Sequence, residues 1–207
     1  AGKTVAVVGN GASAIQFVPQ IAKQVEKLIL YQRSPQYVMP KNVFPGAGKI
    51  MRFLQRWRSL RGLARFMVFA AYERRILQRN LHSGRRLKAE QGFQQCLNEK
   101  IRDPDLRAKL TPDYPLGCKR VLGSDEWYDA LQRTNVELVT SGIKQIESDG
   151  IRTSDGDFRN VDAIIFGTGF TPTAFLSDIR LFGAKGVEIH DAWREGAEAY
   201  LGMSVAG

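Results

Sequence analysis

The chain has 207 residues, a formal net charge of +9 and 43% apolar residues. At about 100–200 residues per domain, this length predicts one large domain or two small ones, and the ordinary apolar and aromatic content argues against disorder. No apolar run approaches the roughly 20 residues that a membrane span needs, since the run at residues 66–72 is far too short.

The two cysteines, Cys96 and Cys118, are too few for a disulfide framework or a metal site. We therefore expect a reduced, cytoplasmic compartment. Lys3 leads directly into strand-like residues, so no secretory signal is predicted. The chain starts without Met, which suggests that the sequence is a piece of a longer protein.

The positive charge is concentrated in residues 45–110, which hold 16 Lys/Arg and 5 Asp/Glu, whereas the rest of the chain holds 14 and 16. A basic segment of this kind can bind nucleic acid or an anionic membrane surface. It contains no recognisable nucleic-acid module, however. A solvated helical face, or a surface that meets an acidic partner domain, is the favoured interpretation, and membrane contact stays open as the less favoured one.

The first forty residues predict a βαβ unit. Residues 4–8 form a continuous apolar, β-branched run, as in a buried parallel strand. A glycine-rich turn at residues 9–14 follows, then apolar residues at helical spacing up to Val25, and a second strand at residues 28–31.

The later pattern alternates between helices and short strands. Residues 48–110 are predicted to be helical, with Gly84, Gly92 and Pro104 as interruptions. The first of these helices carries an apolar stripe made of Leu54, Trp57, Leu60, Leu63 and Ala64. Beyond a loop at residues 113–117, we expect a short helix at 125–131 and strands at 136–139, 142–147, 150–153 and 161–166. The predicted fold class is α/β with a parallel central sheet, a β-meander and a helical insert.

Strand, glycine turn and helix in this order predict a dinucleotide-binding turn. Gly9 permits the tight exit from the strand, and Gly11 lets the backbone approach a pyrophosphate at the helix N-terminus. Ala14 occupies the position where a small residue allows helix and strand to pack closely. The candidate cofactor-binding residues of this segment are Gly9, Gly11, Ala12, Ser13, Ala14 and Gln16.

The end of the second strand predicts which dinucleotide binds. An NAD site places Asp or Glu there for the ribose hydroxyls, but residues 31–34 read Tyr-Gln-Arg-Ser and contain no acid. The guanidinium of Arg33 can contact a 2′-phosphate through paired hydrogen bonds, with the Ser34 hydroxyl as a small donor beside it. We therefore predict NADP(H) as the cofactor.

The hydride acceptor is predicted by what the sequence lacks. No Cys-x-x-Cys motif occurs, which disfavours disulfide-reductase chemistry. His82 and His190 are isolated from each other and suggest neither a catalytic triad nor a metal site, so we expect no metal. A bound flavin is the natural acceptor for the hydride.

Several segments together resemble the NADPH-dependent Baeyer–Villiger monooxygenases, which are flavoproteins. The more specific ones are the Lys-Arg pair at residues 119–120 and the Gly-Thr-Gly-Phe segment at 167–170. The resemblance covers nearly the whole chain, and the basic insert is its least specific part. The segments that carry it are residues 9–16 (Gly-Asn-Gly-Ala-Ser-Ala-Ile-Gln), 31–35 (Tyr-Gln-Arg-Ser-Pro), 114–120 (Tyr-Pro-Leu-Gly-Cys-Lys-Arg), 135–139, 162–170 and 193–202.

The resemblance implies a fold and an activity. Members of this family have one Rossmann-like domain for FAD and another for NADPH. NADPH reduces the flavin, O2 adds to give a C4a-peroxyflavin, and this species attacks a ketone to yield an ester or lactone. The implied organisation here is an NADP-binding domain at residues 1–44 and 111–170, a basic helical insert at 45–110, and a linker towards an FAD domain at 171–207.

The resemblance also implies roles for individual residues. Lys119 would supplement Arg33 at the 2′-phosphate, and Arg120 would be the catalytic arginine near the flavin. A guanidinium suits that position because it stays charged at any working pH and stabilises a developing anion. Thr168 and Gly169 resemble the family's Ala-Thr-Gly linker between the two nucleotide domains, with Gly167 in place of the Ala. Trp193 belongs either to a mobile segment over the cofactor or to ordinary packing.

Some family features are absent from this sequence. The FAD-binding glycine turn and the fingerprint with its His and Trp would precede Gly2, and the aspartate that partners Arg120 is missing as well. We therefore expect the isolated chain neither to hold FAD tightly nor to catalyse oxygenation. Two alternatives stay open: an N- or S-oxidising flavin-containing monooxygenase, and a non-catalytic nucleotide-binding module with a basic interaction face.

Overall fold

The structure is a computed structural model that describes residues 2–41, 56–57, 60–78, 84–170, 176, 178–183, 185–202 and 204–205. The chain divides into two compact units, Ala1–Thr168 and Gly169–Gly207. Within the described residues, the strands are β1 (Thr4–Val8), β2 (Lys27–Tyr31), β3 (Val38–Met39), β4 (Leu122–Gly123), β5 (Val136–Val139), β6 (Ile143–Ile146), β7 (Gly150–Thr153), β8 (Phe158–Asn160) and β9 (Ala163–Phe166). The helices are α1 (Ala14–Ile21), α2 (Arg61–Gln78), α3 (Gly84–Lys100), α4 (Pro104–Leu110), α5 (Trp127–Leu131) and α6 (Ile189–Ala192).

The first unit is built on a four-stranded parallel sheet in the order β5-β2-β1-β9. The strands β6, β7 and β8 form a separate antiparallel meander, and β3 pairs in parallel with β4. The α/β class, the parallel sheet and the meander confirm the predicted architecture at this level.

Both faces of the parallel sheet are covered, which explains the continuous apolar runs in β1 and β2. Successive side chains of a strand point to opposite faces. Val7 of β1 accordingly packs with α1 in the larger core cluster, while Ala6 packs in a second cluster with Ile29 of β2 and Ile151 of the meander. The sheet is therefore fixed between α1 on one side and the meander on the other.

The insert differs from its predicted pattern. Gly92 lies inside α3 and does not interrupt it, because Phe93 and Leu97 on the same helix are buried in the larger core cluster. That burial outweighs the cost of about 1 kcal/mol for a glycine in a helix interior. Gly84 and Pro104 begin α3 and α4, as helix boundaries should.

The predicted apolar stripe is not a buried face. Of its members, Ala64 is buried, but Trp57 is 57% exposed and Leu63 is 51% exposed. Trp57 lies in a bend and α2 begins at Arg61, so Trp57 and Leu63 do not share one described helix. Leu54 and His82 lie outside the described residues. Among the helices that the structure describes, none is long and apolar enough to cross a membrane.

Candidate functional site

The turn after β1 requires glycine at its first position. Gly9 has a φ of +105°, in the left-handed region that side chains disfavour. A Cβ at Gly9 would also lie 2.5 Å from the Gly167 carbonyl oxygen. The Gly9 amide donates to the Tyr31 carbonyl at 3.0 Å, which joins the turn to β2. The need for glycine at position 9 therefore comes from the backbone conformation and packing of the protein itself.

Gly11 is different, because nothing in the described structure requires it to be glycine. A Cβ at Gly11 would meet no atom within 4 Å. The backbone here faces open space, as it must if a ligand is to approach closely.

The start of α1 offers unpaired donors next to that space. In the part of the chain that the structure describes, no backbone acceptor pairs with the amides of residues 11–14, and the first helical bond runs from the Ile15 amide to the Gly11 carbonyl at 3.1 Å. Ser13 makes no side-chain cap at this end. The Gln16 amide group donates to the Ala12 carbonyl at 2.8 Å and steadies the turn. Free amides at a helix N-terminus suit a phosphate group.

A close packing of small residues supports the turn from below. Ala14 is fully buried. A Cβ built on Gly167, which follows β9, would lie 3.6 Å from the Ala14 Cβ and 3.5 Å from the Phe17 ring. Helix α1 therefore approaches the end of β9 closely, as the sequence predicted for a small residue at position 14.

The structure brings together Ser34 and Lys119, which lie 85 residues apart in the chain. The Lys119 ammonium donates to Ser34 Oγ at 2.8 Å, just beyond the end of β2. The neighbouring Arg33 is exposed and makes no ion pair or side-chain hydrogen bond with any described residue. A lysine ammonium, a serine hydroxyl and a free guanidinium are donors that suit a phosphate.

Two tyrosines hold the loop that carries Lys119. The Tyr37 hydroxyl donates to the Tyr114 carbonyl at 2.9 Å, and the Tyr114 hydroxyl donates to the Pro35 carbonyl at 2.8 Å. Burial, which penalises the phenolate, raises the pKa of Tyr114 to about 12, so its hydroxyl remains a donor at neutral pH. The loop is thereby attached to the segment that follows β2.

Asn10 and Gln32 contribute to the site, although the sequence analysis did not select them. Both are buried, at 7% and 3% exposure. Asn10 Nδ2 donates to Gln32 Oε1 and to the Ser34 carbonyl, each at 2.8 Å, while Gln32 Nε2 donates to the Lys109 carbonyl at 2.8 Å. The sequence indication of this contact was an amide side chain in each segment, Asn10 in the glycine turn and Gln32 at the end of the second strand.

Other predicted residues are not brought into this group by any described contact. Arg120 is exposed and forms no ion pair or hydrogen bond with a described residue. Thr168 ends the first unit, also exposed, and Gly169 opens the second unit with a φ of +85°. In the second unit, Trp193 Nε1 donates to the Glu198 carbonyl at 2.8 Å.

A cavity of about 540 Å³ in the first unit adjoins the loop that carries Lys119. Its lining comes from α3, from the segment 111–115 and from Tyr37, and includes none of the predicted cofactor-binding residues. We place the candidate site at the glycine turn rather than at this cavity, because the unpaired amides and phosphate-compatible side chains converge there. The described residues contain no group of three or more His, Cys, Asp or Glu side chains that could hold a metal ion.

Comparison with known proteins identifies relatives over the whole chain. The chain is 40% identical over 206 residues to a Baeyer–Villiger monooxygenase of Pseudomonas aeruginosa, and the match covers 100% of this chain and 39% of the relative. It is 39% identical to a Baeyer–Villiger monooxygenase of Streptomyces coelicolor, covering 100% of this chain and 40% of that protein. No protein-family model matches.

A solved structure agrees with these relatives. The crystal structure of OTEMO in complex with FAD and NADP superimposes with a TM-score of 0.74 and 26% identity, covering 97% of this chain and 45% of that one. The resemblance to Baeyer–Villiger monooxygenases, which the motifs indicated, is thus confirmed over the full chain. The chain spans about 40% of the length of the curated relatives it matches.

Proposed function

We propose that the protein is an FAD- and NADPH-dependent monooxygenase that converts ketones into esters or lactones, and that this chain forms its NADPH-binding part. The reaction consumes NADPH, a proton, O2 and the ketone, and yields NADP+, water and a product that has gained one oxygen atom. The similarity to two curated Baeyer–Villiger monooxygenases supports this assignment, as does the likeness to a solved enzyme with FAD and NADP bound.

Residues 1–44 and 111–170 form the NADP-binding Rossmann-like domain in this proposal. The strand order β5-β2-β1-β9 supports it, since the glycine turn follows the central strand β1 at the carboxyl edge of the sheet, where such folds bind nucleotides. Residues 45–110 are the helical insert, and residues 171–207 are the linker towards the FAD domain.

The observation that carries the cofactor assignment is the hydrogen bond between Lys119 and Ser34. It places a cation at the end of β2, where an NAD site has an acid instead. Arg33 and Lys119 would contact the 2′-phosphate. The amides after Gly9 would receive the pyrophosphate, with Gly11, Ala12, Ser13, Ala14 and Gln16 around it.

FAD would be held mainly by parts of the protein outside this chain, and it would supply the site where O2 is activated after reduction by NADPH. The residue that this chain would contribute to the oxygen chemistry is Arg120, whose guanidinium is exposed and unpaired among the described residues. A fixed positive charge stabilises negative charge that develops during oxygen transfer. Thr168 and Gly169 would connect the two nucleotide domains.

The test is product analysis with the complete protein. Incubated with NADPH, labelled O2 and a panel of cyclic, aromatic and aliphatic ketones, it should form esters or lactones with one labelled oxygen atom. Arg120→Ala should slow this by about 100- to 1,000-fold, the cost of removing one electrostatic stabiliser. Arg133→Ala, which changes another exposed arginine, should have little effect. With an amine and a sulfide added to the panel, oxidation of these at nitrogen or sulfur without any ester or lactone from the ketones would contradict the proposal.

A ketone and O2 are the proposed reaction partners, and the absence of a nucleic-acid partner stays a prediction. A cytoplasmic location stays a prediction from the cysteine usage.

A further inference from the structure

Tyr114 lies against the lysine of the proposed 2′-phosphate site. The Lys119 ammonium lies 4.3 Å from the centre of the Tyr114 ring and 2.8 Å from Ser34 Oγ. An ammonium over an aromatic face is attracted by the negative charge of that face. The ring and the serine oxygen together therefore restrict where the ammonium lies.

The ring itself is fixed to the segment that bears Arg33 and Ser34. The Tyr114 hydroxyl donates to the Pro35 carbonyl at 2.8 Å and contacts Gln36 Oε1 at 3.3 Å. The Tyr37 ring packs edge-on against it, with centroids 5.6 Å apart. Tyr114 is thus a rigid support rather than a side chain that follows the lysine.

Building on the proposed NADPH-binding function, we propose that Tyr114 is a positioning residue that sets the preference for NADP(H) over NAD(H) by holding Lys119 beside Ser34. The four-carbon stem of a lysine is flexible. Without support, its ammonium would become ordered only when a phosphate arrives, at a cost in affinity. The effect is confined to nucleotides with a 2′-phosphate, because NAD(H) offers Lys119 no charged group at that position.

The experiment measures the dissociation constants of NADP+ and NAD+ for the complete protein and its variants. Tyr114→Leu removes the ring and should weaken NADP+ about two- to fivefold, the factor that an exposed cation–π contact supplies, with NAD+ unchanged. Tyr114→Phe keeps the ring and should keep most of the preference. Tyr128→Phe is the control for loss of a hydroxyl, since it removes a buried tyrosine hydroxyl that donates to the Val38 carbonyl, and it should alter neither constant.

A double-mutant cycle separates positioning from a general structural effect. In a Lys119→Ala background, Tyr114→Leu should cause no further loss of NADP+ affinity. An equal loss in both backgrounds, or a parallel loss for NADP+ and NAD+, overturns the proposal. If Lys119→Ala itself leaves the NADP+ preference unchanged, the proposed phosphate site fails, and the role of Tyr114 fails with it.

A second variant pair covers the case in which Tyr114→Leu does not fold. Pentafluorophenylalanine at position 114 keeps the shape of the Tyr114→Phe ring but removes its negative face. A weaker NADP+ preference in the fluorinated protein than in Tyr114→Phe supports the proposal, because only the ring electrostatics differ. Equal preferences in the two proteins overturn it.

Discussion

Asn10 Nδ2 lies 2.8 Å from Gln32 Oε1, and this buried hydrogen bond connects the glycine turn to the end of β2. The same amide group of Asn10 also donates to the Ser34 carbonyl. The pyrophosphate end and the 2′-phosphate end of the proposed site are therefore held at a fixed spacing by a single side chain.

Replacing Asn10 should weaken both the fold and the site. Asn10→Ala leaves the buried Gln32 oxygen without a donor, which costs about 1–3 kcal/mol in the free energy of unfolding. Denaturant unfolding measures this loss. Gln16→Ala, which removes an exposed amide bonded to the Ala12 carbonyl, is the control and should change stability by less than about 0.5 kcal/mol. Equal stabilities of the two variants would show that the buried bond contributes little.

Alanine should lower stability at position 9 and weaken nucleotide binding at position 11. Gly9→Ala forces a side chain into a left-handed backbone and against the Gly167 carbonyl, so it should cost at least about 1–3 kcal/mol in stability. Gly11→Ala meets no protein atom, so its stability should stay within about 0.5 kcal/mol of the parent. It should instead weaken NADP+ and NAD+ alike, because both contain the pyrophosphate.

Thermal unfolding and nucleotide titration of both glycine variants check this contrast. A stable Gly11→Ala protein with unchanged affinity for both nucleotides would place the pyrophosphate away from this turn.

Gly167 should accept alanine, because a Cβ fits at this position. Its Cβ would make ordinary contacts at 3.5–3.6 Å with Phe17, Ala14 and the Val8 carbonyl oxygen. Because the substitution restricts the unfolded chain, Gly167→Ala should raise the free energy of unfolding by about 0.4–1 kcal/mol. Ala14→Val on the facing helix should instead lower it by about 1–3 kcal/mol through overpacking. Destabilisation by Gly167→Ala would mean that helix and strand are packed more tightly than these distances indicate.

The Asp155 carboxylate makes the stability of the fold depend on pH in the acid range. Hydrogen bonds from the Ser141 and Thr153 hydroxyls lower the pKa of this carboxyl from 3.8 to about 2. A group with a lowered pKa in the folded state stabilises the fold above its unfolded pKa, and this contribution is lost as the pH falls. Asp155→Asn should therefore have a lower Tm than the parent at neutral pH, and the difference should shrink between about pH 4 and pH 2. A difference that stays constant over this range would contradict the assignment.

Local patterns were sufficient for the first βαβ unit, because strand, turn and helix are each specified by neighbouring residues. The pairing of β3 with β4 was not foreseen, since it joins Val38 to Leu122 through two-residue strands that carry no periodic signal. The spacing of the apolar stripe likewise could not show that Leu63 is exposed. Helical spacing of apolar residues shows that a face exists, but the tertiary contacts of the helix decide whether it is buried.

The candidate site was predictable in its residue types and only partly in its geometry. Ser34 and Arg33 follow a recognisable strand, whereas Lys119 was selected through the family resemblance, because no local pattern connects it to Ser34. The Asn10–Gln32 bond was missed since amide side chains are common in turns and at strand ends. Only the parallel pairing of β1 with β2 brings the two together.

The central claim is that the end of β2 selects NADP(H), and a titration of the protein with NADP+ and with NAD+ tests it most directly. Arg33→Ala and Lys119→Ala should each weaken the binding free energy of NADP+ by about 1.5–3 kcal/mol, the value of a hydrogen bond to a charged group. Each should leave the binding of NAD+ nearly unchanged. Lys144→Ala, an exposed lysine on β6, is the control and should affect neither. Equal affinities for the two nucleotides, left unchanged by both site variants, would contradict the account.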